Sequence, residues 1–270
     1  MSFSASSSTS SPTPSYGFST ILRSTTSALA TCASSRSVQD IIRPRGALPP
    51  NHNNRMKRHE LRDLISGGES STVEFKRKFT SGDKIARELI AFANTSGGFL
   101  LIGVDDDGKI VGVDSEKHEL ALVAVAASLI EPPIEMTTEI VEIEWKDVIV
   151  IRVPNSAHKP HRLRSESDDE RLHDRKAFIR QGESSVAAGR EMVRFLAAQR
   201  ADAPPMTLSI GDRERRLFLY LERHGRVSVS DFAKLVNISR RRASQILVKL
   251  VRAGILHIHT DGGHDHFTLV

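Results

Sequence analysis

From Thr72 to Lys76 apolar and charged residues alternate, with Val73 and Phe75 on one side and Glu74 and Lys76 on the other. That period predicts a half-buried strand whose acid and lysine face solvent. Phe79-Thr80-Ser81-Gly82 breaks it, and Asp83 is placed to cap a helix with Ile85, Leu89, Phe92 and Ala93 at helical spacing. Asn94 to Gly98 supplies a left-handed stop. Phe99 to Ile102 is apolar without alternation, as expected of a strand covered on both faces, and Asp107-Gly108 predicts a tight turn after it.

On either side of this stretch the pattern continues. Lys57 to Ile65 reads as a short helix ended by Ser66-Gly67-Gly68, and Glu116 to Ile130 as a longer one stopped by Pro132-Pro133. Ile134 to Glu144 alternates, Trp145-Lys146-Asp147 turns the chain, and Val148 to Val153 returns antiparallel until Pro154 closes the strand. Asn155 to Asp174 is polar and charged and reads as a loop. Lys176 to Arg180 is the next strand, and Ser184 or Ser185 starts a helix through Ala198.

A second, smaller pattern occupies 210–270. Asp212 caps a helix bearing Leu217, Phe218 and Leu221 and ending at Gly225; Arg226-Val227-Ser228 is a short strand. Ser230 caps a second helix, Asn237-Ile238 turns, and Ser239 caps a third from Arg240 to Arg252. A hairpin around Asp261-Gly262-Gly263 closes the chain. The expected fold class is therefore α+β: a tail over 1–55, a mixed α/β domain over 56–200, a linker over 201–209 and a helical domain with a hairpin over 210–270.

Several of these pieces match a known family. Glu69-Ser70, Glu74-Phe75-Lys76, Ala91 to Gly98, Gly103 to Gly108, Pro160 and Phe178 to Ser185 resemble the AlbA-like domain of the Schlafen type over roughly residues 58 to 198. The resemblance implies a domain common in prokaryotic regulators described as DNA-binding or ATP-binding. Residues 212–270 resemble winged helix-turn-helix domains, which implies a DNA-reading third helix.

Charge sharpens that expectation. Residues 212–270 carry 11 Lys and Arg against six acids and residues 1–54 four Arg against one Asp, leaving 23 cations and 26 acids between. A basic C-terminal part favours a polyanionic partner, because neutralising phosphates releases counterions. In the third helix Ala243, Ile246, Leu247, Leu250 and Val251 share one face; Arg241, Gln245, Lys249 and Arg252 fall on the other, flanked by Arg240 and Arg242. Arginine reads guanine edges and glutamine adenine in the major groove, so double-stranded DNA is the expected partner and these six residues its contacts. A solvated face of a protein-interaction module is the competing reading. Homo-oligomerisation is left open.

A second constellation comes only from the resemblance. In eukaryotic Schlafen proteins the positions matching Glu69, Glu74 and Asp106 look like a metal-dependent RNase site, with Lys76 beside it as a phosphate contact and Arg180 as a further nucleic-acid contact. On that reading Mg²⁺ or Mn²⁺ would be the only cofactor and the protein an endonuclease. The alternative is turn and strand-edge chemistry alone, with Asp105 a rival to Asp106 and no metal bound. On this second view the acids repel one another, and Glu74→Gln is expected to leave stability unchanged or raise it. His158, His161 and His173 lie in a polar stretch without Cys and read as solvated rather than as zinc ligands. The glycines have neither P-loop nor dinucleotide spacing, so no nucleotide cofactor is expected.

The first 40 residues hold 14 Ser and six Thr without apolar periodicity, which predicts disorder; the four Arg and single Asp of residues 1–54 also suit an organellar transit peptide, but a tail without a function of its own is the favoured reading. The lone Cys32 excludes an internal disulfide. No apolar run approaches the ~20 residues that cross a bilayer, and a cytoplasmic, nucleoid-associated protein is the expectation.

Overall fold

The computed structural model describes residues 55–164, 176–200, 203 and 206–270. The expectations for the Ser/Thr-rich tail, for Cys32, for His173 and for part of the linker over 201–209 fall outside those residues.

A four-stranded sheet carries the first part. Its order is β1 (Val73–Lys76), β2 (Gly97–Ile102), β5 (Lys146–Pro154), β4 (Thr137–Ile143); β1 and β2 are parallel and the other pairs antiparallel. The parallel pair requires a crossover, and α2 (Gly82–Asn94) makes it. Residues on the two faces of the central strands separate cleanly. Leu100, Ile102, Ile149, Ile151 and Val153 pack with Ile85, Leu89, Ile90 and Phe92 of α2 and with Val123 and Ala126 of α3 (Glu116–Ser128). Leu101, Val148 and Val150 point the other way, with Phe75 and Val141, onto Leu61 and Ile65 of α1 (Arg58–Ser66). The unbroken apolar runs of β2 and β5 thus mark a sheet with helices on both faces.

Two small antiparallel pieces flank it: β3 (Ile130–Glu131) with β6 (Arg162–Leu163), and a hairpin of β7 (Phe178–Gln181) with β8 (Ser184–Ala187). The expected helix from Ser184 is corrected here. Gly182, at φ +60°, opens a two-residue turn that sends Ser184 back along Gln181, and α4 begins only at Arg190, running to Ala198. Cap positions also shift by two residues. Ser81, not Asp83, caps α2, its Oγ accepting from Lys84 N at 3.3 Å. The chain reversal between β4 and β5 falls on Glu144 and Trp145, both left-handed at φ 54° and 62°, which leaves Lys146 as the first residue of β5.

The last part comprises α5 (Asp212–His224), α6 (Val229–Leu235), α7 (Arg240–Arg252) and a hairpin of β9 (Leu256–Asp261) with β10 (His264–Leu269). Val227 bridges to Phe267, so the short segment between α5 and α6 adds to the hairpin edge. Ser228 rather than Ser230 caps α6, in a reciprocal box with Asp231. Leu217, Leu221, Phe232, Leu247, Leu250 and Phe267 form its buried centre. Among the described residues no helix is long and apolar enough to cross a membrane.

Candidate nucleic-acid interface

Helix α7 starts at a conventional cap, with Ser239 Oγ accepting from Arg242 N at 3.2 Å. Its predicted apolar residues Ala243, Ile246, Leu247, Leu250 and Val251 are all buried against α5, α6 and the hairpin. Ser244 and Val248 are buried as well, which helical period alone does not foresee. The cause is α4, lying along that flank: Arg194 donates to Ser244 Oγ at 2.6 Å, and Ser244 in turn bonds Glu191. The open remainder is a strip of about a third of the helix circumference. Arg241, Arg242, Gln245 and Lys249 are exposed along it, Arg240 at its start and Arg252 partly so at its end. Helix α7 contains no acid, and none of its five cations is ion-paired among the described residues. Three arginines in a first turn face the positive end of the helix dipole, an arrangement that an anion relieves.

The second constellation behaves differently. Glu69 Oε1 accepts from Phe75 N at 2.9 Å. Its carboxyl is raised above the usual range, mainly by desolvation and further by Glu74 and Asp106, against the Phe75 amide and Lys76. The three acids therefore share one neighbourhood. Glu74, however, is buried, with Lys76 Nζ on one carboxylate oxygen and Arg180 Nη1 on the other at 2.9 Å. Arg180 Nη1 also reaches Glu88 at 2.9 Å, Nη2 donates to the Ser70 carbonyl at 2.6 Å, and the guanidinium lies 5.0 Å over the Phe92 ring. Two expectations need correction. Glu74 is not on a solvent face, because the Arg180 side chain of β7 reaches its carboxylate and shields it with Lys76. Arg180, with its side chain 0% exposed, has no surface to offer a nucleic acid and neutralises two carboxylates instead. Lys76 is partly exposed and also donates to its neighbour's carbonyl, Phe75 O, at 2.9 Å. Asp106 is exposed in the turn, while Asp105 pairs with Arg77 at 3.2 Å. No group of three or more His, Cys, Asp or Glu among the described residues is placed to hold a metal ion.

Residues 69–189 match the model of the family described as Schlafen, AlbA_2. This stretch is a Schlafen AlbA_2 domain. The chain is also similar to the N-terminal domain of a RecG-related protein from Nitrosomonas europaea, at 22% identity and TM-score 0.35 over 56% of this chain and 95% of that one. A second solved structure, the DIP2311 protein from Corynebacterium diphtheriae, aligns at 18% identity and TM-score 0.38 over 74% of this chain, which spans 34% of that protein. A comparison with curated proteins finds no match.

Within the AlbA_2 domain the motif residue Asn94 is a buried tie rather than a helix stop alone. Its Nδ2 donates to the carbonyls of His161 and Phe178 at 2.9 and 3.0 Å, and its Oδ1 accepts from His161 N at 2.7 Å. His161 is accordingly buried, correcting the solvated reading; His158 remains exposed. A carbonyl only accepts, so His161 Nδ1–H donates to Pro132 O at 2.7 Å and Nε2 accepts from Ser156 Oγ at 2.6 Å. Burial holds this ring below the ordinary histidine pKa, helped by nearby His158 and Lys159 and opposed by the bond to Pro132. Sequence carried no signal for Glu88, Glu191 or Lys159, since each acquires its role from a partner far along the chain.

The AlbA_2 match ends where α4 begins, and α4 ties that domain to the C-terminal helices and hairpin. Met192 and Leu196 pack with Ile179 and Val186 of the β7–β8 hairpin and also with Ile258 of β9. The N-terminus of α4 is capped from the distant hairpin: Asp265 Oδ2 accepts from Glu191 N at 2.6 Å and Met192 N at 3.2 Å, while Oδ1 accepts from Thr260 Oγ1 at 2.6 Å. Gly189 leaves room for that carboxylate; a Cβ there would lie 2.1 Å from Asp265 Oδ1.

Proposed function

We propose that the protein is a DNA-binding transcriptional regulator, with 210–270 acting as a winged helix-turn-helix domain on double-stranded DNA. In this reading the AlbA_2 domain is a second nucleic-acid-binding or regulatory module, and the site of action is the cytoplasm. The observation that carries it is the open strip of α7, where Arg240, Arg241, Arg242, Gln245, Lys249 and Arg252 stand without an acid on the same helix. Such a strip combines base-reading side chains with phosphate-holding ones. Catalysis has no support from the acidic cluster, because Glu74 is already neutralised by Lys76 and Arg180.

The test is fluorescence anisotropy on a selected site and on unrelated duplexes, at several salt concentrations. Arg241→Ala is expected to cost ~1–3 kcal/mol at the preferred site and to flatten sequence preference. Lys249→Ala weakens all sequences alike and lowers the salt slope by about one. Equal losses on every sequence for both variants would refute the assignment of Arg241 to base reading; no salt-dependent binding by the wild type would refute the function itself.

A further inference from the structure

An open cavity of about 620 Å³ lies between the loop after β5 and the C-terminal ends of α4 and α7. Lys159, Asn155 and Ser156 line it from the AlbA_2 domain, Gln199 and Arg200 from the end of α4, and Arg252 from the end of α7. Among the described residues no acidic side chain lines it.

Lys159 is the unusual member. It is only 6% exposed, and its Nζ donates to the Thr95 carbonyl at 2.9 Å, at the C-terminal end of α2. An ammonium has three donors, and no carboxylate of the described residues pairs with this one. Buried lysines ordinarily have an anionic partner, because an unpaired charge removed from water is costly. Arg252, at the end of the polar side of α7, also lines this cavity.

We propose that this cavity is a phosphate-binding site, in which Lys159 and Arg252 hold a phosphate group between the AlbA_2 domain and α7. The negative charge of a phosphate group suits a cavity lined by cations and no described acid, and its oxygens can accept from the ammonium, the guanidinium and the Asn155 and Gln199 amides. An occupant would touch both the loop of the first domain and the end of the basic helix. The phosphate can come from a free phosphate-bearing small molecule or from the backbone of bound DNA. Burial holds the Lys159 ammonium below the ordinary lysine pKa, so occupancy favours its protonated form and binding strengthens as pH falls through that range.

Isothermal titration of the full chain with inorganic pyrophosphate, alongside anisotropy with a short DNA duplex, tests this. Lys159→Met and Arg252→Gln are each expected to weaken pyrophosphate binding by about tenfold or more. Lys117→Ala, an exposed cation on α3, leaves it unchanged. If pyrophosphate is silent and the Lys159→Met loss appears instead on duplex DNA with a lower salt slope, the phosphate is that of the backbone, and the site stands. Unchanged binding of both probes in folded Lys159→Met overturns the proposal. Should that variant fail to fold, unchanged binding of both in Arg252→Gln does so.

Discussion

Replacing Gly189 by alanine isolates the joint between the AlbA_2 domain and the C-terminal hairpin. The backbone at Gly189, φ −70° and ψ 173°, suits any residue. At such positions Gly→Ala stabilises by about 0.4–1 kcal/mol through the unfolded chain. Here the new Cβ would fall 2.1 Å from Asp265 Oδ1 and 2.4 Å from Oδ2. The carboxylate can swing aside only by giving up Glu191 N, Met192 N and Thr260 Oγ1. An N-cap is worth about 0.5–2 kcal/mol and a further lost hydrogen bond about 1. The net expectation is destabilisation by about 1–2 kcal/mol, opposite in sign to the ordinary effect. With Asp265→Ala already present the obstruction is gone, and Gly189→Ala should become neutral or stabilising, so the two changes are strongly non-additive. Urea unfolding monitored by far-ultraviolet circular dichroism measures this. The fluorescence of Trp145 is a poor reporter, because that side chain is 94% exposed in the β4–β5 turn. Additive costs, or a stabilising Gly189→Ala in the otherwise native chain, would refute the account of α4 docking.

Other outcomes rest on the buried charges. Arg180→Met leaves Glu88 without its cation and Glu74 with Lys76 alone, and is expected to cost about 3–5 kcal/mol in the same unfolding experiment. Glu74→Gln, which mutual repulsion of acids alone would make neutral or favourable, is now expected to destabilise; a rise in midpoint would contradict the Arg180 pairing. For His161 the folded pKa lies below the unfolded value near 6.5. Its contribution is complete above that pH and is lost as pH falls through the window beneath it, so stability declines there and His161→Gln reduces the slope. An unchanged slope in His161→Gln would assign the acid sensitivity to other groups.

The elements legible in the sequence are those whose cause is local. The apolar run of β2, the spacing of Ile85, Leu89 and Phe92 in α2, the turn at Gly108 and the apolar face of α7 all depend on residues a few positions apart. Backbone hydrogen bonding and side-chain period act at that range, so composition and order suffice. Errors of two residues at caps arise because several serines and aspartates compete there and only packing selects one, as with Ser81 over Asp83 and Ser228 over Ser230. The charged residues were misread for a different reason. Alternation placed Glu74 in water, yet Arg180, 106 residues later, arrives over β1 and buries it. Ser244 of α7 is buried because α4 lies against it, and Asp265 caps a helix 74 residues before it. A buried charge is tolerable only beside its counter-charge or hydrogen-bond partner, and which residues become partners is decided when distant elements pack.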